Sequence, residues 1–325
     1  MILAGDVGAT KTLIGVFNFA STRPVAIDVR SFVTAEFDSL ASIIAAFFQG
    51  RQGMTSRVDG ASFGVAGPVI DQSARMTNVP WDVSAGDLMK AFNLDRVRLL
   101  NDLEAMAYAV PILQPDELHA LQKGRRQPDG NAVLIAAGTG LGQSLLHHVS
   151  GSFRPIPSEG GHADFAARTD RELDLVRFLR AAFGRVDLEM VVSGVGFSNL
   201  YRFTHDGASC AAPVAGDEAA DDPARITRAA LAGTCSRCME ALQMFVSAYG
   251  AAAGNLALVA VSTAGVYVGG GIAPKILPAM DSGSFMEAFL AKDPMRAMLQ
   301  QMPVHVILNP RAALLGAAVY ANEMM

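Results

Sequence analysis

A strand, a glycine-containing turn and a second strand occur in this order twice, and this pattern constrains the fold more than any other feature. At the N-terminus the apolar run 1–4 leads into GDVGAT at 5–10, and a strand-like run follows at 12–18. The pattern returns at 132–149, where the turn is built around glycines at 138, 140 and 142. The repeat predicts two halves that each open with a β-hairpin.

The glycine turns are candidate phosphate sites, because a turn without side chains exposes consecutive backbone N–H groups. In the first turn Asp6 adds a carboxylate of the kind that binds Mg²⁺, and Thr10 adds a hydroxyl donor. In the second turn Thr139 adds the hydroxyl, and a strand follows instead of the helix that a dinucleotide-binding fingerprint requires. Each turn alone is also explained as a plain hairpin, so both interpretations stay open.

Strand-like and helical patterns alternate along the chain, which predicts α/β layers with buried central strands. Asn309 and Pro310 are typical of a helix N-cap and first helical position. The predicted helices are 39–49, 85–92, 103–110, 171–183, 226–261 and 310–321. The predicted strands are 1–4, 12–18, 25–32, 60–65, 97–100, 132–137, 144–149, 265–268 and 304–308.

Length and composition narrow the class of protein. The 325 residues are enough for two domains with full cores. The chain is 51% hydrophobic and 18% charged, as soluble globular proteins are. Its net charge of -5 argues against nucleic acid as the main partner, because proteins that bind phosphate backbones present basic faces.

The cysteines and the apolar segments bear on location. Cys235 and Cys238 fall in a predicted helix; a zinc site needs about four ligands, and the sequence shows no other two nearby, so we interpret the pair as structural. Reduced cysteines and the lack of a secretory signal predict a cytoplasmic protein. The most membrane-like stretch, 248–271, is interrupted by glycines and polar residues, which predicts a buried helix followed by a buried strand.

Asn101 and Asp102 are the candidate catalytic pair. They follow the predicted strand 97–100 and precede a helix, which is the position of an ordinary N-cap. The functional alternative is that Asp102 accepts a proton from an attacking hydroxyl while Asn101 binds a neighbouring hydroxyl. Ligands of open α/β sheets collect at strand ends, which favours the second interpretation without excluding the first.

Further polar residues are candidate ligands for hydroxyl groups. Glu159 and His162 can bind vicinal hydroxyls together, although a lone loop histidine is usually solvated. Glu189 is either a third hydroxyl acceptor or a carboxylate in the first turn of a helix. Trp81, the only tryptophan, forms either a pocket wall or part of the core. The glycine run 269–271 offers a flat surface for an adenine or ribose, or a flexible turn before a helix.

In their order and spacing, these motifs resemble the bacterial glucokinases of the actin-like, hexokinase-type ATPase superfamily over essentially the whole chain. The cysteine-rich zinc motif of the related repressor-type sugar kinases is absent, which separates this chain from that branch. The motifs that carry the resemblance are GDVGAT (5–10), FGVAGPV (63–69), MTNVPW (76–81), LLNDLEAMAYAVP (99–111), AAGTGLGQS (136–144), PSEGGHADFA (157–166), VVSGVGFSNLY (191–201), VYVGGGIAP (266–274) and NPRAALLGAAVY (309–320).

The resemblance implies a two-lobed, actin-like ATPase (ribonuclease-H-like) α/β fold with the ligand cleft between the lobes. The small domain would be 1–111 plus 304–325, and the large domain 112–303. The implied activity is ATP-dependent phosphorylation of D-glucose to glucose 6-phosphate with Mg²⁺. The family suggests a homodimer, and neither nucleic acid nor a membrane is expected as a partner.

The resemblance also assigns roles to residues. Asp102 matches the catalytic base, and Asp6 would hold Mg²⁺ through water. The residues that match the sugar site are Asn78, Asn101, Asp102, Glu159, His162 and Glu189. Those that match the nucleotide site are Gly5, Asp6, Val7, Gly8, Ala9, Thr10, Gly138, Thr139, Gly140, Gly269 and Gly270. The family usually has a second glycine in place of Ala9, whose methyl group would restrict the turn if φ had to be positive.

Two other functions fit the same pattern. The first is a kinase for another hexose, such as mannose or fructose, because spacing does not distinguish sugars that differ at one hydroxyl. The second is a non-catalytic, sugar-sensing regulator built on a kinase fold. Such regulators typically add a basic DNA-binding segment, and this chain starts directly at its first glycine turn.

Overall fold

The structure is a computed structural model that describes residues 1–18, 22–51, 53, 55–76, 79–212, 219 and 221–324. Asn78, one of the residues matched to the sugar site, lies outside the described residues. The strands are β1 Ile2–Val7, β2 Lys11–Asn18, β3 Val25–Val33, β4 Gly60–Val65, β5 Val69–Ile70, β6 Ser73–Arg75, β7 Asp82–Ser84, β8 Val97–Asn101, β9 Leu118–Gln122, β10 Ala132–Ala137, β11 Leu141–Val149, β12 Ser152–Ser158, β13 Gly265–Gly269 and β14 Val304–Ile307.

Helices alternate with these strands, as the sequence predicts. They are α1 Leu40–Phe48, α2 Ala85–Phe92, α3 Asp102–Ala109, α4 Asp170–Phe183, α5 Gly194–His205, α6 Pro223–Leu231, α7 Ser236–Ala260, α8 Leu277–Met280, α9 Ser284–Leu290, α10 Arg296–Leu299 and α11 Ala312–Glu323.

Two helix predictions were wrong in detail. The predicted helix 226–261 is two helices, because the chain leaves α6 through Gly233, whose φ of +67° is outside the helical range. The last helix begins at Ala312 and not at Pro310, since the side-chain oxygen of Asn309 accepts a hydrogen bond from the Arg311 N–H in a turn before the helix. Helices α5, α8, α9 and α10 were not predicted at all.

The chain divides into two units. Unit 1 comprises Met1–Pro115, Phe153–Pro157 and Asn309–Met325, and unit 2 comprises Asp116–Ser152 and Ser158–Leu308. The boundary predicted at residue 304 lies at the start of β14, which pairs with β13 in unit 2.

Unit 1 is built on a sheet with the strand order β3-β2-β1-β4-β8. Strand β1 is antiparallel to β2 and parallel to β4, and β4 is parallel to β8. One hydrophobic cluster includes Phe47 of α1 and the buried Trp81, and another includes Leu314 of α11. Trp81 is therefore a core residue, which decides between the two interpretations of it.

A second sheet repeats this plan, with the strand order β12-β11-β10-β13-β14-β9. Strand β10 is antiparallel to β11 and parallel to β13, and β13 is parallel to β14. The predicted repeat of strand, glycine turn and strand is thus part of a larger repeat, in which a hairpin is followed by two parallel strands in both units.

Helix α7 is long and apolar enough to cross a membrane by length and composition, but 67% of its most apolar window is buried within the protein. Phe245, Tyr249 and Leu256 of this helix belong to the main core of unit 2. Strand β13, which follows it, is buried along its length. The membrane-like stretch 248–271 is accordingly a buried helix followed by a buried strand, as predicted.

Candidate functional site

The first glycine turn connects β1 and β2 through residues 8–10. The Gly8 N–H donates to the Lys11 carbonyl over 3.1 Å, and the buried Thr34 hydroxyl donates to the Gly8 carbonyl over 2.8 Å. Ala9 does not adopt a positive φ, so its methyl group is compatible with this turn. A glycine is therefore not required at position 9, because the turn does not need a positive φ there.

Asp6 and Asp102 lie at the same end of the unit 1 sheet. Asp6 is in register with Gly64 of the parallel strand β4. A methyl group built on Gly64 would lie 3.4 Å from the Asp102 Cα, so the bare glycine lets the N-terminus of α3 approach the sheet. The carboxyl ends of β1, β4 and β8 therefore bring the two aspartates into one neighbourhood.

The two carboxylates interact electrostatically. Burial, and secondarily the charge of Asp102, raise the pKa of Asp6 from its ordinary 3.8 to about 7, while nearby Lys11 acts in the opposite direction. A carboxyl group in this position gains stability when a cation neutralises it. The residues present thus fit a divalent metal ion held by Asp6.

Asn101 forms the cap of α3, as the ordinary interpretation predicts. Its side-chain oxygen accepts hydrogen bonds from the N–H groups of Leu103 and Glu104 over 3.0 and 3.4 Å. Its amide nitrogen donates to the Gly67 carbonyl over 3.2 Å. Asp102 is the first residue of α3, and one of its carboxylate oxygens accepts from the Leu103 N–H over 2.8 Å.

The second glycine turn, residues 138–140, connects β10 and β11 in unit 2. Glu189 lies against it, because its carboxylate accepts a hydrogen bond from the Leu141 N–H over 2.8 Å. A methyl group built on Gly140 would lie 2.5 Å from the Glu189 carboxylate, so this contact requires the glycine. Glu189 is in a turn before α5, which excludes its interpretation as a first-turn helix carboxylate.

The segment around Glu159 and His162 packs on the same turn. A methyl group built on Gly161 would lie 2.0 Å from the Leu141 carbonyl oxygen, and the Gly161 carbonyl accepts from the Glu189 N–H over 2.9 Å. Glu159 and His162 are both exposed. Unit 2 thus brings the second glycine turn and all three candidate hydroxyl-binding residues of this unit into one contiguous region.

The third glycine run also lies at this end of the unit 2 sheet. Gly269 is in register with Ala136 on the neighbouring parallel strand. Gly270 has a φ of +84°, and a methyl group there would lie 2.2 Å from the Ala137 carbonyl oxygen, directly before the second turn. Both glycine segments therefore end adjacent parallel strands, where ligands of open α/β sheets bind.

Comparison with known proteins decides the family. A family model described as Glucokinase matches residues 3–324. The chain belongs to the glucokinase family. A glucokinase of Nostoc punctiforme is 37% identical over 341 aligned positions, which cover 100% of this chain and 99% of the relative.

Solved structures support the same assignment. A glucokinase from an Antarctic psychrotroph superposes with a TM-score of 0.86 at 29% identity and covers 99% of this chain and 98% of that one. A ROK family glucokinase from Streptomyces griseus in complex with glucose and AMPPNP has a TM-score of 0.68 at 20% identity and covers 99% of each chain, and it shows the fold alone. The two-lobed, actin-like ATPase fold is thereby confirmed.

Sequence reasoning missed three features of the site. Lys11 is close enough to Asp6 to influence its pKa. The buried Asp187 lies 3.2 Å from the Nδ1 atom of His162 and also accepts from the Met190 N–H, so it orients the histidine. Helix α5 begins against the second turn, where the Gly194 N–H donates to the Gly138 carbonyl over 2.8 Å. Lys11 directly after the first motif and Asp187 two residues before Glu189 were signals that could have been used.

Proposed function

We propose that this member of the glucokinase family transfers the γ-phosphoryl group of ATP to the C6 hydroxyl of glucose, with Asp102 as the general base. Family membership supports the overall reaction. The observation that carries the assignment of roles is the pairing of Asp6 and Asp102, two carboxylates in different environments at one end of the unit 1 sheet.

The two aspartates are suited to different roles because their environments differ. Asp102 heads helix α3 and accepts a backbone N–H, and both the helix N-terminus and the hydrogen bond stabilise its negative charge. An ionised carboxylate held in this way can accept the proton that the sugar hydroxyl loses as it attacks phosphorus. Asp6, by contrast, is disfavoured as an anion unless a cation accompanies it.

Asp6 would hold Mg²⁺ in this proposal, through water as in the family. When bound, the ion neutralises charge on the phosphoryl oxygens of the nucleotide. The protein supplies the rest of the electrostatic stabilisation through backbone N–H groups of the turns that include Gly8, Ala9 and Thr10 in unit 1 and Gly138, Thr139 and Gly140 in unit 2. The adenosine portion would lie on Gly269 and Gly270.

The sugar hydroxyls would be bound by Glu159, His162 and Glu189 of unit 2, and by Asn78 and Asn101 of unit 1. Support comes from the packing on the second turn of Glu189 and of Gly161, which lies between Glu159 and His162. Asp187 holds the His162 ring, which fixes the direction of its other nitrogen. Asn101 retains one amide hydrogen for a ligand beyond the bond to Gly67.

Positioning would provide much of the rate enhancement. Two substrates held in reacting geometry gain on the order of 7–11 kcal/mol over the reaction in solution, and a general base adds about 10²- to 10⁴-fold. Exclusion of water would prevent ATP hydrolysis.

The location and the assembly that we propose are those expected from the sequence. None of the three cysteines forms a disulfide bond, which agrees with the reducing cytoplasm that we propose for this protein. The homodimer that the family suggests stays a prediction. Sedimentation velocity with and without glucose tests it: a single species of about 34 kDa at micromolar concentration would contradict the dimer.

The test of the proposed reaction is a coupled assay of ADP and sugar phosphate over a panel of hexoses. We expect one glucose 6-phosphate for each ATP consumed, with a higher kcat/KM for glucose than for mannose or fructose. A higher kcat/KM for either of the other sugars would assign the chain to that substrate. Sugar binding without ATP consumption would identify a sensor and contradict the proposal.

A further inference from the structure

A buried group of potential metal ligands lies in unit 2, apart from all residues assigned to the active site. The end of α5, the connection to α6 and the start of α7 bring together His205, Cys210, Cys235 and Cys238. One ligand atom from each of these residues lies within 4.8 Å of all the others. The sequence-based interpretation that two ligands are missing was therefore wrong, because the fold supplies them from α5 and the segment after it.

The spacing of the ligand atoms matches a tetrahedral zinc site. Zn–S bonds of about 2.3 Å and Zn–N bonds of about 2.0–2.1 Å place two sulfurs about 3.8 Å apart and a sulfur and a nitrogen about 3.6 Å apart. In the structure the sulfurs of Cys210 and Cys238 are 3.7 Å apart. The Nε2 atom of His205 lies 3.6 Å from the Cys235 sulfur and 4.0 Å from the Cys238 sulfur.

The histidine is held in the form that a metal ion requires. Its Nδ1 atom is 2.9 Å from the Tyr201 carbonyl, which can only accept, so Nδ1 carries the proton. The Nε2 lone pair consequently faces the cysteines. The ring is 2% exposed and stacks on Tyr201 with 3.8 Å between centroids. Such a hydrogen bond from the second ring nitrogen to a carbonyl is the usual support of a metal-binding histidine.

Charge around the cluster also fits a bound cation with thiolate ligands. Three thiolates and one Zn²⁺ carry a net charge of −1. The guanidinium of Arg225 is 3% exposed, interacts with Cys210 and donates to the Ala212 carbonyl over 2.9 Å, so a positive charge is buried beside the cluster. Buried charges are retained when they are paired.

We propose that His205, Cys210, Cys235 and Cys238 form a structural zinc site that fixes the connection from α5 through α6 to α7. The three thiols release their protons to solvent as the Zn–S bonds form, and no oxidant or reductant takes part. Four protein ligands fill the tetrahedron, as in structural sites, so the ion has no position left for a substrate. A surface depression lined by Gly207, Ala208 and Cys210 gives the ion a path to the cluster.

The first test is the metal content of the wild-type enzyme, purified without chelator from cells grown with added zinc. We expect one zinc per chain by plasma mass spectrometry. After the metal is removed, Co²⁺ should restore one equivalent with the strong visible absorption of a tetrahedral cobalt–thiolate complex. Protein with a negligible zinc content and no such absorption would overturn the proposal, as would an intact mass two hydrogens lower, which indicates a disulfide between two of the cysteines.

Two neighbouring substitutions give a matched comparison. Cys210→Ser removes a ligand from the half-buried segment, and Ser209→Ala changes the exposed residue beside it. We expect Cys210→Ser to lose most of its zinc and to have a lower Tm that added zinc no longer raises, whereas Ser209→Ala retains one zinc per chain. Equal zinc content in the two variants would contradict the assignment of Cys210. The wild-type measurement stands even if Cys210→Ser folds poorly.

Discussion

The two units share a backbone plan but differ at one position that bears on chemistry. Strands β1 and β10 each run into a three-residue glycine turn, and each pairs with a parallel strand through a glycine. The residue opposite that glycine is Asp6 in unit 1 and Ala136 in unit 2. The common plan thus provides two glycine turns, and only the first is preceded by a carboxylate at this register position.

The units also differ in what approaches the strand ends. In unit 1 the bare Gly64 admits the N-terminus of α3 with Asp102. In unit 2 the backbone at Gly270 packs against the Ala137 carbonyl, and the Glu189 carboxylate packs against Gly140. Similar topology thus places two interacting aspartates at the strand ends of unit 1 and a glycine turn in contact with the Glu189 carboxylate at those of unit 2.

The largest expected effect comes from Asp102→Asn, which keeps the shape of the side chain but removes the base. We expect kcat to fall about 10²- to 10⁴-fold while glucose binding is retained, measured by initial rates and calorimetry. Glu104→Gln is the matched control, because it removes a carboxylate from the same first turn of α3. A similar loss in both variants would assign the effect to the helix and not to the base.

Asp6→Asn tests the carboxylate that distinguishes the first turn from the second. We expect the affinity for Mg²⁺ in the presence of ATP to fall about 10- to 100-fold, as it does when a residue that supports a metal through water is lost. Wild-type affinity for Mg²⁺ with ATP should fall as the pH drops below the Asp6 pKa of about 7, because the proton then competes with the cation. The variant should lack this pH dependence; an unchanged profile would remove Asp6 from the metal site.

Stability in the absence of Mg²⁺ should report the same group with a defined sign. The folded-state pKa is raised from 3.8 to about 7, so the folded form binds the proton more tightly than the unfolded form. The contribution of Asp6 to stability is therefore fully present below about pH 4 and is lost as the pH rises through 7. We expect the Tm of the wild type to fall relative to that of Asp6→Asn as the pH rises from about 4 to 7, because only the wild type carries the titrating carboxyl group. A constant difference would contradict the shifted pKa.

Gly138→Ala and Gly140→Ala distinguish a glycine that leaves space for a ligand from one that is needed for a contact within the protein. A methyl group on Gly138 meets no described atom within 4 Å, whereas one on Gly140 meets Glu189 at 2.5 Å. We expect Gly138→Ala to keep the wild-type Tm but to raise the KM for ATP roughly 10- to 100-fold. The added methyl group would hold a phosphate away from the turn, and the loss of one hydrogen bond to a charged group costs about 1.5–3 kcal/mol. Gly140→Ala should also lower the Tm. A wild-type KM in Gly138→Ala would argue against a phosphate at this turn.

Ala9→Gly should have the smallest effect. The turn does not require a positive φ at this position, so we expect ATP affinity to be unchanged or slightly tighter. Stability should fall by about 0.4–1 kcal/mol, because glycine gives the unfolded chain more conformational freedom. Urea unfolding and the KM for ATP measure the two effects. A clear loss of ATP affinity would show that the turn is shaped for the methyl group.

Local patterns predicted much of the fold. The alternation of strands and helices, both glycine hairpins and the buried character of 248–271 were readable from residue types and spacing. The break at Gly233 and the start of α11 at Ala312 were not, because a helical pattern does not show whether a glycine or an N-cap residue takes the expected conformation.

The contacts within the site depended on long-range packing. The sequence indicated that Glu189 and His162 could bind hydroxyl groups, but it did not show their partners. Glu189 contacts Leu141 and His162 contacts Asp187, and both partners are distant along the chain. The ligands His205 and Cys210 were missed for a related reason, since α5 was not predicted. A search for metal ligands by spacing alone fails when a helix end and a connecting segment supply half of them.

The most direct test of the central claim is the rate of the chemical step in Asp102→Asn, measured by rapid quench after ATP is mixed with enzyme already saturated with glucose. We expect a slow, single phase of glucose 6-phosphate formation by enzyme that is saturated with the sugar, at a rate far below that of the wild type. Phosphoryl transfer at the wild-type rate in this variant would contradict the assignment of Asp102 as the base.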